Sequence, residues 1–143
     1  DMDTLTFAAP RMARNLMAPK SAEKPVLEFD YEKVLAGLGL TADEFIDLCI
    51  LCGCDYTDTI RGIGPKTALK LVKEHKTIEN ILEAIDTEKH QPPKDWNFQG
   101  ARELFKNPEV MDTNGIKLAW KAPDEEGLVK FLVEEKQFNE DRA

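Results

Sequence analysis

The sequence predicts a mixed, mainly α-helical fold with a few short strands. Two observations carry that prediction. Capped apolar runs of helical period recur along the chain, and strand-like alternation is confined to brief stretches, chiefly Val26–Tyr31 and Ile116–Lys121. At 143 residues the chain is long enough for one ordinary core. Apolar residues at 42% and charged residues at 32% exclude long disorder. No apolar run approaches the ~18 residues of a membrane-spanning helix, and no membrane partner is expected.

Taken in order, the chain opens on Asp1-Met2-Asp3 and a run that reads as extended, Thr4–Phe7. Pro10 to Pro25 reads as a helix-poor, loop-like segment. Val26–Tyr31 alternates apolar and acidic residues, as a half-buried strand does, and a short helix follows from Tyr31 to about Ala36, ended by Gly37 or Gly39. Thr41 and Glu44 form a capping box for the next helix, with Leu40 and Phe45 placed as its staple. Ala42, Phe45, Ile46 and Cys49 give that helix one apolar face, and Gly53 stops it.

A loop from Cys54 to Ile63 leads to Gly64-Pro65, with proline at a first helical position, where its missing N–H costs nothing. This helix turns Ala68, Leu69 and Val72 inward and runs to about His75. Thr77 caps another, carrying Ile78, Ile81, Leu82 and Ile85. A short helix is expected from Phe98 to Phe105, an extended segment from Ile116 to Lys121, and a last full helix from Asp124 through Leu128, Phe131 and Leu132. Both ends read as cut through structure, so the chain is expected to be a piece of a longer protein.

Cys49, Cys52 and Cys54 lie inside or beside an apolar helical run, where cysteine acts as a small hydrophobe. An odd, clustered set makes a poor disulfide framework, and a reducing intracellular compartment is expected.

A net charge of −8 argues against nucleic-acid binding by bulk charge. The local charge differs. From Arg61 to Lys76 there are five basic side chains, Arg61, Lys66, Lys70, Lys73 and Lys76, against Glu74 alone. They follow Gly62-Ile63-Gly64-Pro65, a glycine turn whose bare amides and following helix N-terminus suit a phosphodiester. Such a hairpin grips a DNA backbone without reading bases. Gly62, Gly64, Lys66, Thr67 and Lys70 are the candidate DNA-binding residues. Asp1 and Asp3, two apart in an extended run, project to one side, and Asp55 lies in the loop after the capped helix. Such hard oxygen donors suit Mg²⁺.

These residues together resemble the flap structure-specific endonucleases, the 5′-nucleases of replication and repair. The likeness runs through Asp1–Phe7, Phe45–Leu51, Gly53–Tyr56, Ile60–Lys66, Phe105, Pro108–Val110, Trp120 and Glu135–Phe138. It implies a PIN-like 5′-nuclease core of which residues 1–54 are the later portion. Residues 55–90 would be a helix–hairpin–helix (helix-two-turn-helix) DNA-binding region, and residues 91–143 a helical extension packing on the core. It implies that Asp1, Asp3 and Asp55 are catalytic metal ligands for two Mg²⁺ ions, and that Gly53, beside Asp55, offers its backbone amide near the bound strand, with Asp55 also among the DNA-binding residues. It implies a K⁺ ion in the hairpin loop at Cys52, Thr59 and Ile63. The implied activity is 5′-flap endonuclease and 5′-3′ exonuclease action on double-flap and nicked duplex DNA in Okazaki fragment processing and base excision repair. Implied partners are a sliding clamp, through a C-terminal tail not in this sequence, and the missing N-terminal part of the same protein. The implied location is the nucleus, with the nucleolus and mitochondrion as further sites. The competing reading is a non-catalytic helix–hairpin–helix module that binds duplex DNA.

Overall fold

The computed structural model describes residues 2–142, without the side chains of Met2, Lys20 and Arg142. It divides into two compact units, one ending at Glu109 and the other beginning at Val110. No described helix is long and apolar enough to cross a membrane.

The first unit starts with a 3-10 turn, Met2–Leu5, where the sequence predicts an extended run. Two consecutive side chains, Leu5 and Thr6, are buried, which a strand with one solvated face does not allow. The carbonyls of Asp3, Thr4 and Leu5 are taken by local N–H groups of Phe7, Ala9 and Ala8, so none is left for a ladder. Strand β1, Arg11–Arg14, follows inside the stretch expected to be loop. It pairs antiparallel with β2, Leu27–Asp30, with Met12 opposite Phe29. Only Met12 of β1 is buried, so the strand carries almost no apolar signal.

Helix α1, Tyr31–Leu38, is capped by Asp30 and closed by Gly39 in the left-handed conformation. Helix α2, Ala42–Cys52, has the full Thr41/Glu44 capping box. Its burial is not confined to one face: Phe45 to Leu48, Ile50 and Leu51 are all buried, while Ala42 is exposed. The reason is position, because α2 packs between α3, Pro65–His75, and α5, Phe98–Lys106. Helix α4, Ile78–Ala84, is capped by Thr77 and packs on α3.

The core is formed by Ile50 and Leu51 of α2, Ile60 and Ile63 of the loop, Ala68 and Val72 of α3, Ile78 and Ile81 of α4, and Phe98, Ala101 and Phe105 of α5. Full burial of each large aliphatic side chain contributes about 1.5–3 kcal/mol. One charged group sits among them. Asp47 of α2 is 3% exposed. Its carboxylate accepts from the Ile78 amide at 3.0 Å and from the Arg102 Nε and Nη2 at 2.8 Å each. Arg102 also donates to Glu79 at 2.9 and 3.0 Å, so one guanidinium ties α2, α4 and α5 together.

In the second unit, α6, Glu125–Lys130, is capped by Asp124 and passes into a π-helical turn, Phe131–Glu135. The α-helix therefore ends sooner than its apolar spacing predicts. Residues 116–121 form no strand, and none of the unit's described side chains is buried. Alternation alone does not make a strand where no partner ladder is present.

Candidate nucleic-acid and metal site

The site is built around the connection from α2 to α3. Gly53 closes α2 at φ 115°, a conformation that favours glycine, and its N–H donates to the carbonyls of Cys49 and Ile50 at 3.0 and 3.2 Å. The Gly53 amide, expected to serve a bound strand, is thus spent on the helix cap. The chain then turns at Asp55-Tyr56, closed by a bridge between Cys54 and Thr57. Asp55 is exposed at the tip of that turn.

The charge of Asp55 reaches the carboxyl of Asp3, 52 positions earlier in the chain. Burial, and then the charge of Asp55, raise its carboxyl above the usual range. Two carboxylates from distant segments therefore share one electrostatic neighbourhood, where a bound cation relieves their repulsion. Aromatic rings hold both segments. Phe7, whose N–H donates to the Asp3 carbonyl at 3.1 Å, packs 4.9 Å from Phe105 of α5 and 6.2 Å from Tyr56. Tyr56, next to Asp55, lies edge-on to Phe105 at 5.2 Å. Asp1, the third expected ligand, lies outside the described residues. Among the described residues no group of three His, Cys, Asp or Glu converges as a metal cage. The carboxylate oxygens of Asp3 and Asp55 are donors of the kind Mg²⁺ takes.

The hairpin itself has two different glycines. Gly62 has φ 84° and forms the turn with Arg61. Gly64 is the N-cap of α3 at φ −98° and ψ 178°, extended backbone with no side chain to cap the helix. Pro65 has no N–H, so the first-turn donors left without an intrahelical partner are the amides of Lys66 and Thr67. An anion at this end meets those amides and the positive end of an eleven-residue helix. Lys66, Lys70 and Lys73 are exposed along α3. Lys76 is not part of that row: it pairs with Glu44 at 3.2 Å, with its backbone at φ 75° at the end of the helix.

Cys52, Thr59 and Ile63 all belong to this connection. Cys52 and Thr59 are exposed and Ile63 is buried. The Thr59 methyl closes to 3.4 Å of the position a Gly53 Cβ would take. All three cysteines are unpaired thiols. Burial pushes the Cys49 thiol up to about 11, as its packing role predicts, but Cys52 is exposed and contributes little to the core.

Two residues of this region carry no motif in the sequence, yet both touch the loop. Trp96 donates its indole N–H to the Asp58 carbonyl at 2.6 Å, and the His90 ring Nδ1 lies 3.4 Å from the Arg61 carbonyl. Asp47 and Arg102 were equally silent, since an acid in an apolar run reads as a solvated position.

The family model described as XPG I-region matches residues 1–55. The chain is 86% identical over 143 residues to flap endonuclease 1 of Ostreococcus tauri, and 59% identical over 144 residues to that of Zea mays. These alignments cover the whole chain but only 37% and 38% of the two relatives. Over its whole length this chain matches one segment of the flap endonucleases. Among solved structures, flap endonuclease-1 from Methanococcus jannaschii superposes with a TM-score of 0.69 at 34% identity, over 99% of this chain and 41% of that one. The catalytic core of Rad2 in complex with DNA substrate gives 0.71 at 23% identity, over 99% of this chain and 53% of that one, which supports the fold. The chain thus spans little more than a third of the curated flap endonucleases it matches.

Proposed function

We propose that this chain is part of a structure-specific 5′-flap endonuclease with 5′-3′ exonuclease activity, acting on double-flap and nicked duplex DNA. The observation that carries the proposal is the Phe7–Tyr56–Phe105 packing that ties the segments of Asp3 and Asp55 together, with Asp55 in the same connection that ends at the uncapped start of α3. A pure binding module gains nothing from paired carboxylates next to a phosphate track, because they repel the ligand.

Asp3 and Asp55, with Asp1, are the residues that would hold Mg²⁺, two ions per complete site. Bound magnesium supplies nucleophile activation and charge neutralisation at the scissile phosphodiester. The chain's own residues do the rest. The Phe7, Tyr56 and Phe105 rings keep the two acidic segments in register. The hairpin of residues 61–67, of helix–hairpin–helix type, holds downstream duplex through backbone amides and Lys66 and Lys70, which sets the distance to the cleaved bond. Cys52, Thr59 and Ile63 would hold K⁺, Thr59 through its hydroxyl and the other two through their carbonyls, which would supply positive charge for a duplex phosphate. The remaining ligands belong to the N-terminal part of the same protein, and a C-terminal tail docks on the sliding clamp. Action in Okazaki fragment processing and base excision repair, and residence in the nucleus, nucleolus and mitochondrion, follow from this assignment.

The test is Asp55→Asn in the protein that carries this chain with its N-terminal part. The substitution keeps size and removes a charge. Cleavage of a 5′-flap substrate is expected to collapse while duplex binding survives or tightens. Equal loss of both would make Asp55 a structural residue.

A further inference from the structure

The hairpin loop is held from outside by a segment that no motif marks. Between α4 and α5 the chain passes through Gln91-Pro92-Pro93 and sends two ring donors back to the loop. Trp96 donates to the Asp58 carbonyl at 2.6 Å, and the His90 Nδ1 lies 3.4 Å from the Arg61 carbonyl. The two carbonyls flank Ile60, which is 1% exposed and plugged into the core. The loop is therefore fixed at three points, one apolar and two polar.

Each tether is itself anchored. The Trp96 ring packs 4.9 Å from Phe98, a buried residue of α5. The backbone N–H of His90 donates to the Asp86 carbonyl at 2.8 Å. The His90 ring also lies against Gly62: a Cβ at that position would stand 3.1 Å from Nδ1. With a carbonyl as its partner, the ring must carry a proton on Nδ1.

We infer that His90 and Trp96 are positioning residues for duplex binding, holding the Asp58–Gly62 backbone so that the amides at the start of α3 meet a phosphate without first being ordered. This inference rests on the proposal that the hairpin grips DNA. A backbone grip has few side chains to adapt, so its affinity depends on preorganisation. A loop freed of its tethers must lose that freedom on binding, and the affinity falls with no contact to DNA removed.

The experiment measures binding of a nicked duplex to this chain by fluorescence anisotropy, with amide hydrogen exchange as second readout. Trp96→Phe keeps the ring and removes the N–H. His90→Phe removes the donor, whereas His90→Asn keeps an amide donor near the Nδ1 position. The double variant Trp96→Phe, His90→Phe is expected to bind roughly tenfold more weakly. Exchange at Ile63, whose N–H donates to the Ile60 carbonyl at 3.2 Å, should quicken while Ile50 and Leu51 stay protected, and His90→Asn should bind like the parent. Faster exchange throughout α2 and α3 would show a general structural role and overturn the inference. Unchanged affinity of the double variant, with Gly64→Val losing binding, would overturn it and leave the hairpin reading standing. Unchanged affinity of both would overturn both.

Discussion

The carboxylate of Asp47 and the guanidinium of Arg102, 55 residues apart, meet in two hydrogen bonds of 2.8 Å. Asp47 is almost wholly buried and has the Ile78 amide as its third partner. Removing Arg102 leaves a buried carboxylate without its counter-charge. Arg102→Ala is therefore expected to destabilise the chain by about 3 kcal/mol in urea unfolding. Arg102→Lys should recover only part of this, because a point charge does not replace the fork. By contrast Arg11→Ala, which breaks an exposed pair with Glu28 at 3.9 Å, should change stability by less than about 1 kcal/mol.

Acid stability follows from the same network. Hydrogen bonds from Arg102 hold the Glu79 carboxyl below its ordinary range, and the capping bond from Thr41, with Lys76 beside it, does so for Glu44. A lowered folded pKa gives stability that is complete above the unfolded value, about 4.3 for glutamate, and is lost as pH falls through the folded value. The urea midpoint should fall below about pH 4.3, and Glu79→Gln should flatten part of that fall. Asp3 has the opposite sign: its raised carboxyl favours the folded state when protonated, and that help is lost as pH rises through the folded value.

Most helices were legible in the sequence, for local reasons. The Thr41/Glu44 box, Pro65 at a first position, and Thr77 and Asp124 as caps each state a helix start within four residues. The strand Arg11–Arg14 was not legible, because only Met12 points inward and two arginines flank it. The start of the chain misled for a related reason: Thr4–Phe7 has strand-forming residues, but local carbonyl bonds and two adjacent buried side chains produce a turn. Lys76, counted in the basic stretch from Arg61 to Lys76, answers instead to Glu44 across the fold. The loop's tethers were out of reach: Trp96 and His90 act through carbonyls 38 and 29 residues away, and carbonyls carry no sequence identity.

Metal chemistry gives the next prediction. Three carboxylates, Asp1, Asp3 and Asp55, are too few to anchor two ions that each prefer six oxygen ligands. The 143-residue chain by itself is expected to show no 5′-flap cleavage in Mg²⁺. Supplying the N-terminal part should restore it. Robust cleavage by the purified chain alone, free of contaminating nuclease, would contradict this.

The claim at the centre is that the Gly62–Thr67 hairpin binds duplex DNA through its backbone. Gly64 allows a clean test, since its φ of −98° is open to any residue and a Cβ there meets nothing within 4 Å. Gly64→Val leaves the fold intact but places a branched side chain where a phosphate approaches the Lys66 and Thr67 amides. Lys66→Ala instead removes one charge and should weaken binding modestly, lowering the salt slope by about one. Replacing K⁺ by a bulky organic cation should weaken the parent and hardly affect Gly64→Val. The deciding measurement is the affinity of Gly64→Val for a nicked duplex, with circular dichroism confirming the fold. Near-complete loss of binding is expected; affinity equal to the parent would mean that the hairpin is only a turn and that DNA binds elsewhere.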